Sequence, residues 1–185
     1  MYYRMPWLRR LGFIFALISL LALGSCSSMS MNSVTTSPPA LQLEQYFAGK
    51  TRAQGVLLDR SGIATRYFSV DITGTWVAET QTLTLDEQFV FNDGERSQRV
   101  WTITKQAPDR YTGQAADVVG TAQGTVKGNV LNWQYVLQVP YKGSTLNVNF
   151  DDWMYLMNDK VLLNKAIMRK FGFKVGEVFI TFEKL

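Results

Sequence analysis

The chain has 185 residues and a formal net charge of +4, with no histidine and one cysteine. The lack of histidine excludes a Ser-His-Asp triad and histidine metal sites, and a lone cysteine excludes an internal disulfide. The charge is no sign of nucleic-acid binding: three of the 19 basic residues are arginines within the first ten positions, and the rest of the chain has 16 basic and 15 acidic residues. We expect no nucleic-acid partner, no metal and no cofactor.

Residues 1–25 predict a signal peptide. The three arginines precede an apolar run, Leu11–Leu23, whose thirteen residues fall short of the roughly 20 that cross a bilayer as a helix. The run ends in Leu-Gly-Ser before Cys26, which resembles a bacterial lipobox and implies that Cys26 is acylated as the first residue of the mature chain. An ordinary secretory signal beside a free cysteine is the alternative, but the place of the only cysteine favours lipidation. Because Ser27 follows where aspartate would retain the protein elsewhere, the resemblance implies a lipid anchor in the outer membrane, on its periplasmic face.

The next segment, residues 26–40, predicts a flexible tether, because it is rich in small polar residues and contains a proline pair. The folded domain is predicted over residues 41–185, a length typical of a single domain. Its first element is a short helix over Leu41–Ala48. A helix this short is not stable alone in water, so we expect it to pack over one end of the domain.

Ten strands follow at hairpin spacing, separated by turn signals such as Asn92-Asp93-Gly94. No segment indicates a βαβ crossover, so the chain predicts an all-β antiparallel fold, either an up-and-down barrel or a sandwich. Long strands joined by hairpins favour the barrel, because closure removes exposed edges. The strands are too polar on both faces for a membrane-spanning barrel. They are predicted over Arg52–Leu58, Ile63–Trp76, Gln81–Phe91, Arg96–Lys105, Arg110–Val119, Gly120–Lys127, Val130–Tyr141, Thr145–Met157, Lys160–Phe171 and Phe173–Lys184.

The predicted strand Thr145–Met157 alternates between an apolar and a polar face, and Asp152 interrupts the apolar one. A buried carboxylate needs a partner, so we expect Asp152 to be a counter-ion for interior cations and Asp151 to face the polar side. Other strands carry similar interruptions; the apolar face of the ninth strand, with Val161 and Leu163, also contains two cations. The predicted interior charges are Arg66, Glu87, Arg99, Asp152, Lys165 and Arg169.

Two interpretations of these charges stay open. In the structural one, long side chains reach water near strand ends or form ion pairs. In the other, they line a lumen whose excess of positive charge receives an anionic head group, such as a fatty-acid carboxylate or a phosphate. Asp151 and Asp152, as strand neighbours, point to opposite faces and do not form an acid–base pair, so we expect no enzymatic activity. The head-group contacts would be Arg66, Arg99, Lys165 and Arg169.

Several blocks of the sequence resemble the DUF3833 family of bacterial lipoproteins. They are the lipobox, LEQYFAG, FVFNDGE with RVWTITK, GNVLNWQY, FDDWMYLMNDKVLLNKA, and KFGF followed by VGEV. The resemblance covers essentially all of residues 41–185. It implies a lipocalin-like or calycin-like barrel, and because genes of this family often neighbour those of lipid-modifying enzymes, it points to an acyl or membrane-lipid ligand. It implies no catalytic residue.

The sequence therefore predicts an outer-membrane lipoprotein whose barrel binds or carries a lipid-like or fatty-acid-like amphiphile in the periplasm. The alternative is a non-enzymatic envelope structural or assembly factor that acts through protein contacts. The barrel interior separates the two: an open lumen of roughly several hundred Å³ favours ligand binding, and a packed interior favours the alternative.

Overall fold

The structure is a computed structural model that describes residues 29–141 and 143–185. The predicted signal peptide, the predicted lipidation site Cys26 and the first residues of the predicted tether lie outside the described residues. Contacts divide the chain into two units, Met1–Ser33 and Val34–Leu185. In the first, Met31–Ser33 form a 3₁₀ turn. The second unit forms a β-barrel.

The barrel consists of one short helix, α1, and ten antiparallel strands in simple up-and-down order. Each strand pairs with the next along the chain, and the first pairs with the last, so the sheet is closed. This confirms the predicted all-β antiparallel barrel of about ten strands with a short N-terminal helix. The elements are α1 Leu43–Tyr46, β1 Gly49–Asp59, β2 Ala64–Val77, β3 Thr82–Phe91, β4 Arg96–Ala107, β5 Arg110–Gln114, β6 Val118–Lys127, β7 Val130–Tyr141, β8 Ser144–Leu156, β9 Val161–Lys170 and β10 Phe173–Lys184.

One strand boundary was predicted wrongly, and the error matters for the barrel interior. The sequence placed the break between the fifth and sixth strands at Gly120, whereas β5 ends at Gln114 and β6 begins at Val118. Gly120 has φ +73° and lies inside β6, where the register with β7 is irregular between Val119 and Gln123. Its positive φ therefore serves a bulge within the strand and not a hairpin turn.

The helix α1 and the residues around it cover one end of the barrel. Leu41, Leu43, Tyr46 and Phe47 are each at most 4% exposed, and they pack against inward residues of the strands. The Tyr46 hydroxyl donates to the carbonyl oxygen of Lys160, just before β9, at 2.9 Å and to that of Phe182 in β10 at 3.1 Å. A side chain at Gly74 would collide with the Phe47 carbonyl, so β2 passes under the helix only because this position is glycine. The end with α1 is called the closed end below.

A polar cluster holds α1 in place. Glu44 is 9% exposed and accepts hydrogen bonds from Lys105 Nζ of β4 and, at 2.8 Å, from the Tyr111 hydroxyl of β5. Burial alone would raise the pKa of Glu44, but these two donors outweigh it and hold the pKa below its ordinary value of 4.5. The carboxylate is therefore a fixed structural anchor between the helix and the barrel.

Part of the predicted tether also lies against the closed end. The Ser37 amide donates to Asn129 Oδ1 at 2.9 Å, and the Leu41 amide donates to the Gly128 carbonyl at 2.8 Å. Both acceptors belong to the turn between β6 and β7. Within the described residues, no helix is both long and apolar enough to cross a membrane.

Candidate ligand-binding site

A cavity of about 690 Å³ occupies the barrel interior, a size within the range of small-molecule sites. It extends from Leu43 and Phe47 at the closed end to the solvent-exposed residues Glu95 and Pro140 at the opposite end, called the mouth below. Most of its wall is apolar. The aromatic side chains in this wall are Phe47, Phe68, Phe89, Phe91, Trp101, Trp133, Tyr135, Phe150 and Phe182.

Alternation along the strands brings four of the predicted charged residues to the cavity wall: Arg66, Glu87, Arg99 and Asp152. In the antiparallel register, Glu87 of β3 lies directly opposite Arg99 of β4. Asp152 of β8 lies between the bulky Trp133 of β7 and the small Ala166 of β9. All three residues line the cavity.

Arg99 is the central cation of the interior, and its guanidinium is held by two carboxylates. Its Nη2 lies 2.8 Å from Asp117 Oδ2, its Nε also donates to Asp117, and its Nη1 lies 3.8 Å from Glu87 Oε2. Burial acts to lower the pKa of Arg99, but the hydrogen bonds that Arg99 donates to Asp117 and the charge of Glu87 outweigh it and raise that pKa. The positive charge of Arg99 is therefore already neutralised within the protein.

Arg66 lies at the mouth, and its guanidinium is also paired with two carboxylates. It donates to both oxygens of Asp93, its Nη2 lies 2.6 Å from Glu95 Oε2, and its guanidinium carbon lies 3.6 Å above the ring of Phe91. Asp93 and Glu95 come from the turn between β3 and β4. The arginine joins this turn to β2 and narrows the mouth.

Asp152 is 5% exposed and differs from the predicted counter-ion. Its Oδ2 accepts only long hydrogen bonds of 3.4 Å, from the Tyr135 hydroxyl and from Asn164 Nδ2. Its Oδ1 has no hydrogen-bond partner among the described residues, and no described lysine or arginine lies within ion-pair distance of it. Loss of hydration on burial raises the pKa of Asp152 from 3.8 to about 7. The prediction of a salt-bridged Asp152 was wrong, because the nearest interior cation is taken by Asp117 and Glu87.

Glu87 is a second interior carboxyl group whose pKa is raised by burial. Burial raises its pKa from 4.5 to about 7, although the charge of Arg99 acts in the opposite direction. The negative charges of Asp117 and Asp152 add to the increase. The carboxyl groups of Glu87 and Asp152 therefore both have pKa values near neutral pH.

Lys165 and Arg169 do not line the cavity, and their predicted interior position was wrong. The inward residues of β9 are Asn164, Ala166 and Met168. Outside the barrel, Lys165 Nζ lies 3.2 Å from an oxygen of Glu177, and Arg169 Nη1 lies 3.9 Å from one of Asp151. Both faces of β9 carry apolar residues, so alternation defined two faces without deciding which one turned inward.

Three residues of the interior were not predicted as site residues. Asp117 was taken as part of a strand, but it lies in the β5–β6 connection and reaches Arg99. Tyr135 appeared as one member of an apolar face; its hydroxyl is buried beside Asp152, and burial raises its pKa well above the ordinary value of 10.0. Asn164 is 3% exposed and lies on the face of β9 opposite to the one that was predicted to turn inward. The available sequence signal for Asn164 was an asparagine between the apolar residues Leu162 and Ala166 on one face of a strand.

The polar side chains in the middle of the cavity form one group, called the interior polar cluster below, on a mostly apolar wall. It contains three carboxyl groups, one guanidinium, one phenol and one carboxamide. Such a group can orient a polar part of a ligand by hydrogen bonds while the apolar wall covers the rest. Among the described residues, no three Asp, Glu, His or Cys side chains are grouped to hold a metal ion. The members are Glu87, Arg99, Asp117, Tyr135, Asp152 and Asn164.

The closed antiparallel strands and the interior cavity place this structure in the lipocalin-like class of β-barrels. The chain belongs to the family described as protein of unknown function (DUF3833), whose model matches residues 20–184. No curated protein matches the chain in sequence.

Solved structures of similar fold include the following two. The S-type phycobiliprotein lyase CPES from Guillardia theta is 9% identical, with a TM-score of 0.58 over 77% of this chain and 90% of the lyase chain. A DUF3598 protein of unknown function from Nostoc punctiforme is 15% identical, with a TM-score of 0.56 over 80% of this chain and 51% of that one. At these identities the likeness is one of fold alone.

Proposed function

We propose that the protein binds an amphiphilic, lipid-like small molecule inside the barrel and carries it in the periplasm, while a lipid on Cys26 anchors it to the outer membrane. The observation that carries the proposal is the cavity of about 690 Å³, apolar over most of its wall and open at the mouth. If the barrel were filled by its own side chains, we would expect no continuous interior space, because protein cores are normally packed to the density of organic crystals. The cavity therefore favours binding over the alternative of a structural or assembly factor with a packed interior.

The charges of the site support a binder and not a catalyst. The carboxyl groups of Glu87 and Asp117 are paired with Arg99, and that of Asp152 accepts hydrogen bonds from two neutral side chains. The likeness to the phycobiliprotein lyase, at 9% identity, is one of fold alone and implies no reaction for this chain. We propose a non-enzymatic role.

Native mass spectrometry of the mature protein purified from its own envelope tests the proposal. We expect a bound amphiphile to appear as a mass adduct and to raise the melting temperature when added back. Replacement of the inward Ala166, which is 2% exposed and lines the cavity, by phenylalanine should remove the adduct by filling the lumen. The matched control is Leu163→Phe on the outer face of the same strand, which should keep it. Absence of any adduct, together with no thermal shift on adding amphiphiles, would count against the proposal.

The anchor is tested separately. Cys26→Ala removes the only thiol of the chain, so the protein should move from the membrane fraction to the soluble fraction. Unchanged fractionation of this variant would refute lipidation at Cys26.

A further inference from the structure

We infer that the polar end of the ligand is a cationic hydrogen-bond donor, of which a primary ammonium group is the simplest case, seated against Asp152 and Asn164. This inference rests on the proposed function, because it names the chemistry of the molecule that occupies the same cavity. It replaces the anionic head group that the excess of positive charge in the sequence had suggested.

The first observation is that neither interior arginine is available for an anion. Arg99 donates to Asp117 along two nitrogens and faces Glu87, and Arg66 donates to Asp93 and Glu95. A ligand carboxylate would have to displace one of these acids from a charge-assisted hydrogen bond. With Lys165 and Arg169 outside the barrel, the predicted positive lumen does not exist.

The second observation is that the unsatisfied atoms of the cavity wall are acceptors. Asp152 Oδ1 and Asn164 Oδ1 are both buried, both belong to cavity-lining residues, and neither has a donor among the described residues. Buried polar atoms of native proteins nearly always have a partner, so an unpartnered pair in a ligand-sized space indicates where a ligand donates. An ammonium group has three N–H donors and can serve both oxygens at once.

The third observation is the balance of charge. The interior polar cluster has carboxyl groups at Glu87, Asp117 and Asp152 against the single guanidinium of Arg99, so it attracts a further cation and repels a further anion. The wall beside Asp152 adds aromatic faces: the ring of Tyr135 stacks on Phe150 at 5.1 Å and meets Trp101 edge-on at 5.4 Å. Aromatic faces attract cations when water is excluded.

The experiment uses the full chain and the neutral, polarity-sensitive dye Nile red as a reporter of the cavity. The dye is displaced at pH 7.5 by dodecylammonium, dodecanol or dodecanoate, which share one alkyl chain and differ only in the head group. We expect dodecylammonium to displace it at a concentration roughly tenfold or more below that of dodecanoate, since hydrogen bonds to charged groups are among the stronger ones. Dodecanol should lie between them.

Asp152→Asn then removes the charge and keeps the shape, and we expect it to abolish most of the preference for dodecylammonium over dodecanoate. Asp151→Asn, next to it on the outer face, is the matched control and should keep the preference. If Asp152→Asn does not fold, Glu87→Gln replaces it and should reduce the preference. Dodecanoate displacing the dye as well as dodecylammonium would overturn the inference and leave the proposed function intact. A dye that no amphiphile displaces would overturn both.

Discussion

Replacing Asp152 by asparagine should change how the stability of the protein depends on pH. Asp152 is 5% exposed, and burial raises its pKa from 3.8 to about 7. Between these two values the folded chain binds more protons at this site than the unfolded chain does. Folding stability therefore falls as the pH rises through this window and levels off above about 7.

The size of the effect follows from the two pKa values. A tenfold change in proton affinity corresponds to about 1.4 kcal/mol, so the full penalty of an ionised Asp152 is about 4 kcal/mol. Part of this penalty is already present at pH 5, and the part that develops between pH 5 and pH 8 is about 2–3 kcal/mol. Asparagine cannot ionise, so the variant should lose this part of the pH dependence. Glu87, with a pKa also raised to about 7, remains and keeps a dependence of the same sign.

Urea unfolding of the wild type and of Asp152→Asn at pH 5 and pH 8, followed by the fluorescence of the barrel tryptophans, measures the unfolding free energy of each protein. We expect the difference in unfolding free energy between the two proteins to shift in favour of the variant by about 2–3 kcal/mol from pH 5 to pH 8. The control is Asp151→Asn, whose carboxylate accepts hydrogen bonds from Asn132 and Gln134 on the outer face. Equal pH dependence of the wild type and Asp152→Asn would refute the claim that Asp152 is buried without a charged partner.

Four further substitutions test the packing and the ion pairs. Arg99→Met leaves two carboxylates without their cation and should cost about 3–5 kcal/mol of unfolding free energy. Arg66→Met should cost about 1 kcal/mol or less, because the acidic partners of Arg66 are more than half exposed. Equal losses of the two variants in urea unfolding would contradict this assignment. Gly124→Ala places a methyl group against the ring of Trp133 and should cost about 1–3 kcal/mol, seen as a lower melting temperature, and an unchanged temperature would show that the ring moves freely. Tyr111→Phe removes a donor from the buried carboxylate of α1 and should cost about 1–3 kcal/mol, and a neutral result would mean that water replaces the hydroxyl.

Local signals in the sequence were enough to predict most of the barrel. The strands Val130–Tyr141 and Phe173–Lys184 begin and end where they were predicted, because Gly-Asn and Phe-Gly turn residues precede them. Alternation on β8 also placed Asp152 inside correctly, since the opposite face of that strand is polar. Both predictions depend only on near neighbours in the chain.

The partners of the interior charges could not be predicted in the same way. Asp117 lies in the connection between β5 and β6 and reaches Arg99, but Gly120 was interpreted as the break between these strands, so Asp117 was assigned to a strand. On β9, both faces are apolar, and the inward one is recognisable only once Ala166 is seen beside the carboxyl group of Asp152. Which charges meet across a closed barrel depends on register and shear, which single strands do not specify.

The closure of the barrel has a consequence for how the chain folds. The pair that closes the sheet joins β1 to β10, with Thr51 opposite Lys184, residues near the two ends of the folded chain. Synthesis proceeds from the N-terminus, so β1 waits for its second neighbour until nearly the whole chain has been made. In that interval β1 and the most recently made strand both present unpaired edges to other chains. We therefore expect slow, late-closing folding, in which the last dozen residues decide between a monomeric barrel and aggregation.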